Sequence, residues 1–389
     1  MVGFMLSRMF SVCREKLNRL SMVIFRNERF RKKCVIAIYN VTAFFKKNKS
    51  GDHSLFEPEC LIRNERFFCH DVYKGNFLYG MSDVLKKYSG YTDKVCSCIE
   101  HGVYFGDYFN DKEAIKSGYP SVITFSSQRK AHIRKVSDKM VFEVGPYIYY
   151  ASSVLDEKAI KMLKKQWGKT LLVWPSHSVD RIKTSFDYQQ FIHEILKIKQ
   201  EHGFETVLTC LYYRDIELQR NKVYEEAGFK VVTAGRREDP AFLERLKTFI
   251  LLSDYTVSNS VGTHVGYSVV LNRPHTVLEQ RIDFEMDSEA EQKHVTTLYL
   301  NSADQEKAEV QKAFATYSET ISDRQRELCR KYWGLDKIRT PEELYAIFQL
   351  NQSILKLAKG KESKFNEYAK MLLSQIDQVE RELLFKALQ

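Results

Sequence analysis

Between Thr170 and Leu278 five short apolar runs rich in β-branched residues alternate with four longer amphipathic ones, and few folds accept that order. The expected strands are Thr170 to Trp174, Thr206 to Leu211, Lys230 to Thr233, Tyr255 to Val257 and Thr276 to Leu278. Between them the spacing predicts helices over Phe186 to His202, Ile216 to Ala227 (with Gly228 as its C-cap), Ala241 to Leu252 and Gly262 to Leu271. Strand followed by helix followed by strand demands a crossover each time, so the sheet is expected to be parallel, with helices on both faces.

Ligands of such sheets bind beyond the carboxyl ends of the strands, which directs attention to the turns. The last helix is preceded by Ser258-Asn259-Ser260 and by Gly262-Thr263-His264. A hydroxyl- and glycine-rich turn at a helix N-terminus presents free N–H groups and the positive end of the helix dipole, which suits a phosphate; ordinary helix capping is the alternative. Ser176-His177-Ser178 follows the first strand of the same sheet and opens on the same edge, with Arg181 and Lys183 just downstream. Two polar turns on one edge can hold a diphosphate or phosphodiester.

Upstream, residues 55–150 read as a second α/β unit. Its expected strands are Lys94 to Glu100, Ser121 to Phe125 and Met140 to Val144, with a helix over Gln128 to Lys135. His101 and the pair Ser126-Ser127 stand at strand ends. Histidine needs little tuning to take a proton from a hydroxyl near neutral pH, so His101 is the candidate base, with Glu100, Asp107 and Asp111 as alternatives. Gly102 and Gly106 allow close approach of a substrate, and Gly102, Tyr104, Ser126 and Ser127 are the expected acceptor contacts. Gly145 to Tyr150 reads as a linker. The expected divisions are 1–54, a basic amphipathic N-terminus; 55–150, an acceptor-side unit; 151–300, a nucleotide-side unit; and 301–389, a helical extension.

The formal charge of +10 favours an anionic partner. Basic residues dominate 1–50, where Phe, Met and Leu are interleaved with them, so this segment is expected either to lie on an anionic membrane surface or to pack as helices on the body. The uncharged run Cys34 to Phe45 is too short to span a bilayer, which takes about 20 residues. The eight cysteines show no zinc-like spacing and suit a reducing compartment. Beyond 300 the expected helices are Ala303 to Trp333, Pro341 to Lys359 and Glu362 to Leu388. The apolar face of the last (Phe365, Tyr368, Leu372, Ile376, Val379, Leu383) packs on the body or, alternatively, against a second copy. Phosphate-loop, dinucleotide, zinc-protease and serine-elbow motifs are absent, and no RNA-binding signature accompanies the basic residues, so nucleic acid is not an expected partner.

Two Rossmann-like halves followed by C-terminal helices resemble the GT-B fold of nucleotide-sugar glycosyltransferases. Glu100-His101-Gly102, Pro175-Ser176-His177-Ser178 and Ser258-Asn259-Ser260 resemble, in order, the acidic-or-His-Gly, His-Pro and serine motifs of bacterial surface-polysaccharide enzymes. These include the CMP-sugar (sialyl- and Kdo-type) transferases of capsule and lipopolysaccharide and the teichoic-acid polymerases. Gly145-Pro146 is similar to the Gly-Pro that ends their first domains. The resemblance implies His101 or Glu100 as base. It implies donor-phosphate contacts from His177, Ser258 and Ser260; the composition of the two turns adds Ser176, Ser178, Asn259, Gly262, Thr263 and His264 as expected contacts. It also implies a metal-independent, inverting transfer from a nucleotide-sugar to a glycan or lipid-linked acceptor at the cytoplasmic face of the membrane, with no cofactor. Ser178 stands where the family has Pro, and His101 where its sialyltransferases have a second acid. A polyol-phosphate transferase and a non-catalytic nucleotide-sugar-binding or glycan-binding module of the same fold are the alternatives.

Overall fold

A computed structural model of the protein describes residues 54–63, 67, 71, 73–106, 118–179, 182–285, 304–359 and 361–375, with Cys34, Ile36, Ala37, Asn40 and Val41. The basic segment 1–33, Asp107, Asp111, Arg181 and the end of the last helix (Ile376, Val379, Leu383) lie outside the described residues.

The chain is a mixed α/β structure with two parallel sheets. The first contains β1 (Ser97–Ile99), β2 (Ser121–Thr124) and β3 (Met140–Glu143), in that spatial order. Seven strands follow: β4 (Thr170–Trp174), β5 (Lys183–Ser185), β6 (Thr206–Cys210), β7 (Lys230–Val232), β8 (Tyr255–Ser258), β9 (His275–Val277) and β10 (Asp283–Glu285). Five of them form the second sheet, in the order β7-β6-β4-β8-β9, every pairing parallel. The chain starts at the centre, builds outward through β6 and β7, then returns across β4 to lay down β8 and β9. This is the doubly wound order, and its direction reverses between β4 and β8. Trp174 and Ser258 are register partners at the carboxyl end of that pair, so the turns after β4 and β8 leave the sheet side by side. β1, β2, β4 and β8 are buried along their whole length, as parallel strands covered on both faces are.

Both sheets share one apolar core. Ile123 and Phe125 from the first, Leu172, Trp174 and Leu208 from the second, and Trp333 and Phe348 from the C-terminal helices belong to the same buried cluster. The helix Asp323–Trp333 is the wedge. Trp333 fills the space over Gly266, where a Cβ would come within 2.1 Å of the indole, and Gly334 turns at φ 64° against the carbonyl of Phe125. The described part of the last helix, Phe365–Gln375, likewise buries Phe365 and Ala369 in this core.

Four expectations are corrected. The single helix over 216–227 is two short ones, Tyr213–Glu217 and Lys222–Glu226, because Gln219 adopts φ 60° and Arg220 folds back onto Asp215 at 2.9 Å. The segment 145–150 is not an open linker: Tyr147 and Ile148 are fully buried in a 3₁₀ turn, Tyr147–Tyr149. The helix over 303–333 breaks into Asp304–Ala313 and Asp323–Trp333, the second started by a capping box of Ser322 and Gln325. The loop 175–184 ends in β5, which pairs antiparallel with β10. Among the described residues no helix is long and apolar enough to cross a membrane.

Candidate functional site

The turns after β4 and β8 are joined by short hydrogen bonds. Ser176 N–H donates to Asn259 Oδ1 at 2.7 Å, the Ser176 and Ser260 hydroxyls lie 2.8 Å apart, and Asn259 Nδ2 donates to Gln280 Oε1 at 2.9 Å. Asn259 is therefore the buried brace of the double turn, with its amide spent on protein partners. Ser258 is buried too. Its hydroxyl donates to Ser260 O at 2.8 Å and lies 3.0 Å from His275 Nε2, whose Nδ1 is 2.7 Å from Thr256 Oγ1. Ser258 and Asn259 are thus turned to protein partners, and they shape the turn that holds Ser176 and Ser260. Ser178 is also turned to protein partners. It is buried, its N–H donates to Asp215, and its hydroxyl accepts from Arg220 Nη1 at 2.7 Å and from Thr184 N–H at 3.1 Å.

Beyond Ser260 the chain enters the helix Thr263–Val270, with Gly262 as N-cap in an extended conformation and no side chain capping it. His264 Nε2 donates to Ser260 O at 3.1 Å, and its ring stacks on Trp174 with a centroid distance of 6.0 Å. Gly262 is required by this packing, because a Cβ there would meet the imidazole at 2.9 Å. Thr263 faces the other sheet. Its Oγ1 accepts from Val103 N–H at 3.1 Å and lies opposite Gly102. The loop after β1 and the uncapped helix terminus after β8 are therefore in direct contact.

That loop carries His101. Its Nε2 is 3.1 Å from the Tyr104 hydroxyl, and its ring stacks on Tyr79 at 5.9 Å with an interplanar angle of 23°. Gly106 N–H donates to Glu306 Oε2 at 2.6 Å, and Glu306 Oε1 also accepts from Gln128, so the helix Asp304–Ala313 anchors the end of the loop. Glu100 points away into the sheet. Arg129 grips both of its oxygens at 2.7–3.1 Å and Thr124 Oγ1 donates to Oε2 at 2.6 Å. Both oxygens of Glu100, the alternative base, therefore accept from protein donors. Ser126, an expected acceptor contact, is buried, and its hydroxyl caps the helix Ser127–Arg134 by accepting from Arg129 N–H at 3.3 Å. Ser127 is exposed on the first turn of that helix.

His177 lies against Tyr212, ring centroids 4.8 Å apart, and within electrostatic reach of Asp215. Burial lowers the pKa of His177 and the Asp215 carboxylate partly restores it. Burial also lowers that of His101; Glu100 opposes the shift and Arg237 adds to it. His177 keeps an exposed surface and His101 a partly exposed one, although protein surrounds both closely enough to desolvate them.

Tyr79, Asp215, Arg220 and Arg237 escaped the reading of the sequence. None follows a motif, and each comes from a loop or helix end whose route depends on the whole fold. Among the described residues no three His, Cys, Asp or Glu side chains are arranged to hold a metal.

The buried imidazoles make stability depend on pH. Burial lowers the pKa of His264 to about 4, against the bond to Ser260, and that of His275 well below its ordinary value. The unfolded chain therefore binds more protons than the native one below about pH 6.5, and stability falls from there down to the folded-state values. Urea midpoints are expected to be lower at pH 5.0 than at 7.5. His264→Gln, which cannot take up the proton, is expected to narrow that gap; an unchanged gap would remove His264 from the account.

No protein-family model matches the chain, and no curated protein matches it. Among solved structures the chain is similar to one titled "Structure of the Wall Teichoic Acid Polymerase TagF", at 15% identity over 72% of this chain and 69% of that one, with a TM-score of 0.34. A likeness at that level carries no argument about activity.

Proposed function

We propose that the protein is a glycosyltransferase, moving a sugar from a nucleotide-activated donor to a hydroxyl of a glycan or lipid-linked acceptor. One observation carries the reading. At the switch point of the five-stranded sheet, Thr263 at an uncapped helix N-terminus is bonded to the loop that holds His101. That contact supports a reading in which a helix terminus suited to a leaving phosphate and an imidazole suited to taking a proton serve one site. The Tyr104 hydroxyl, 3.1 Å from His101 Nε2, marks where an alcohol can sit on the imidazole.

In the proposed step the acceptor oxygen attacks the anomeric carbon as the bond from that carbon to the donor phosphate oxygen breaks. The acceptor proton passes to His101, which its lowered pKa keeps neutral and basic at pH 7. The phosphate takes the bonding electrons and is stabilised by helix-terminal N–H groups, Ser176, Ser260 and His177. The donor is a substrate, so the scheme uses no cofactor. The charge of +10 supports an anionic donor and, through residues 1–50, an anionic membrane surface at the inner face of a bacterial membrane.

The nucleotide is identified by melting temperature. CMP, CDP and UDP at 100 times their dissociation constants each stabilise a binding protein by about 2.7 kcal/mol, a shift of a few degrees. One of them is expected to do so, and Thr263→Val with Ser260→Ala to reduce the shift. The matching donor, radiolabelled, is then expected to label membrane extract. A donor carrying a polyol phosphate that labels extract when nucleotide-sugars do not would convert the reading to phosphoryl-linked transfer. Binding without any transfer would leave a non-catalytic module.

A further inference from the structure

Tyr79 is the residue where the two sheets' loops are locked against each other. Its backbone adopts φ 61°, a left-handed conformation that an aromatic residue rarely holds, and Gly80 follows at φ 67°. The cause lies across the crevice. Tyr79 N–H donates to Arg237 O at 2.5 Å, and the chain passes the 237–240 loop so closely that a Cβ on Gly80 would meet Pro240 O at 2.0 Å. Having made that turn, the chain aims the Tyr79 ring between Phe242, centroids 5.0 Å apart and nearly perpendicular, and His101, at 5.9 Å and nearly parallel. Phe242 opens a helix of the second sheet, and His101 stands on the loop after β1. The strained residue therefore joins the candidate base to the crossover between β7 and β8 of the second sheet.

We propose that Tyr79 is a positioning residue, whose strained backbone and stacked ring hold the His101 imidazole at a fixed height over the crevice. The proposal rests on the transferase reading for its kinetic consequence but not for its structural one. The other groups facing His101 are Glu100, tied to Arg129, together with Arg237 and Tyr104. With the ring of Tyr79 removed, water reaches a second face of the imidazole, and His101 is free to tilt away from the acceptor.

Tyr79→Phe keeps the stacked ring and Tyr79→Ala removes it. Both are made in the full chain and compared for melting temperature, nucleotide-induced shift, imidazole titration by ¹⁵N NMR and transfer kinetics. Tyr79→Ala is expected to move the His101 titration upward, towards that of a solvated imidazole. It is also expected to lower kcat by about 10²-fold, with donor KM changed less than about threefold, since a misplacement of one ångström costs that much. Tyr79→Phe is expected to titrate and turn over like the parent. An unmoved titration in Tyr79→Ala overturns the proposal, and so does a Phe variant as impaired as the Ala one. If the parent shows no transfer with any donor, the transferase reading fails by itself, and the titration still decides whether Tyr79 holds His101.

Discussion

Replacing His101 by alanine is expected to slow transfer by about 10²–10⁴-fold, the range a positioned general base supplies, while the nucleotide-induced melting shift stays at the parent value. The two readouts separate because the imidazole and the phosphate turns belong to different elements: His101 follows β1, and Ser176, Ser260 and Thr263 follow β4 and β8. The pH profile tests the same assignment. A base works in its neutral form, and burial lowers the pKa of His101 below its ordinary 6.5. The rate constant is therefore expected to be level from pH 7 upward and to fall as pH drops through that lowered value. Glu100→Gln is expected to keep an acid limb but to move it to lower pH, because the Glu100 carboxylate is not the base and its charge opposes the lowering of the His101 pKa. A His101→Ala protein that transfers at the parent rate would leave the crevice without its base.

Parallel sheets, crossover helices and their order were legible because they rest on local rules. Alternation of β-branched runs with amphipathic ones placed β4, β6, β7, β8 and β9 within a residue or two, and strand-end position put the turns that hold Ser176 and Ser260 side by side on one edge. Burial was not legible. Ser178, Ser258 and Asn259 look like their half-buried neighbours Ser176 and Ser260, and their deeper burial comes with partners on the other side, Asp215, His275 and Gln280. Glu100 and His101 are adjacent in sequence, yet one points into the sheet and the other over the crevice. Arg129, which decides that division, is 29 residues away on a helix that only the finished first sheet brings into reach. Breaks such as Gln219 at φ 60° are equally silent, because glutamine is a good helix former and only the pull of Arg220 onto Asp215 stops the helix there.

The buried pair beneath the base supplies the largest stability effect. Arg129 and Glu100 are 3% and 5% exposed, with Nη2 to Oε1 at 2.7 Å, so neither charge has water to turn to if the other is removed. Arg129→Ala leaves a carboxylate buried with Thr124 as its remaining charge-assisted donor, and a loss of about 3–5 kcal/mol is expected in urea unfolding at pH 7.5. Arg129 contributes packing as well, since its guanidinium lies 5.1 Å from the centre of the Tyr104 ring, which in turn touches His101. The loss should therefore appear as a disturbed His101 titration as well as a lower midpoint. Glu100→Gln with Arg129→Met removes both charges and keeps the volume and an oxygen for Thr124 to donate to. That double variant is expected to recover most of the stability, because a neutral pair does not have to be desolvated. If Arg129→Ala cost under 1 kcal/mol, the pair would be solvated in solution. Glu100 would then be free to compete with His101 for the acceptor proton, and the division of labour between these adjacent residues would have to be redrawn.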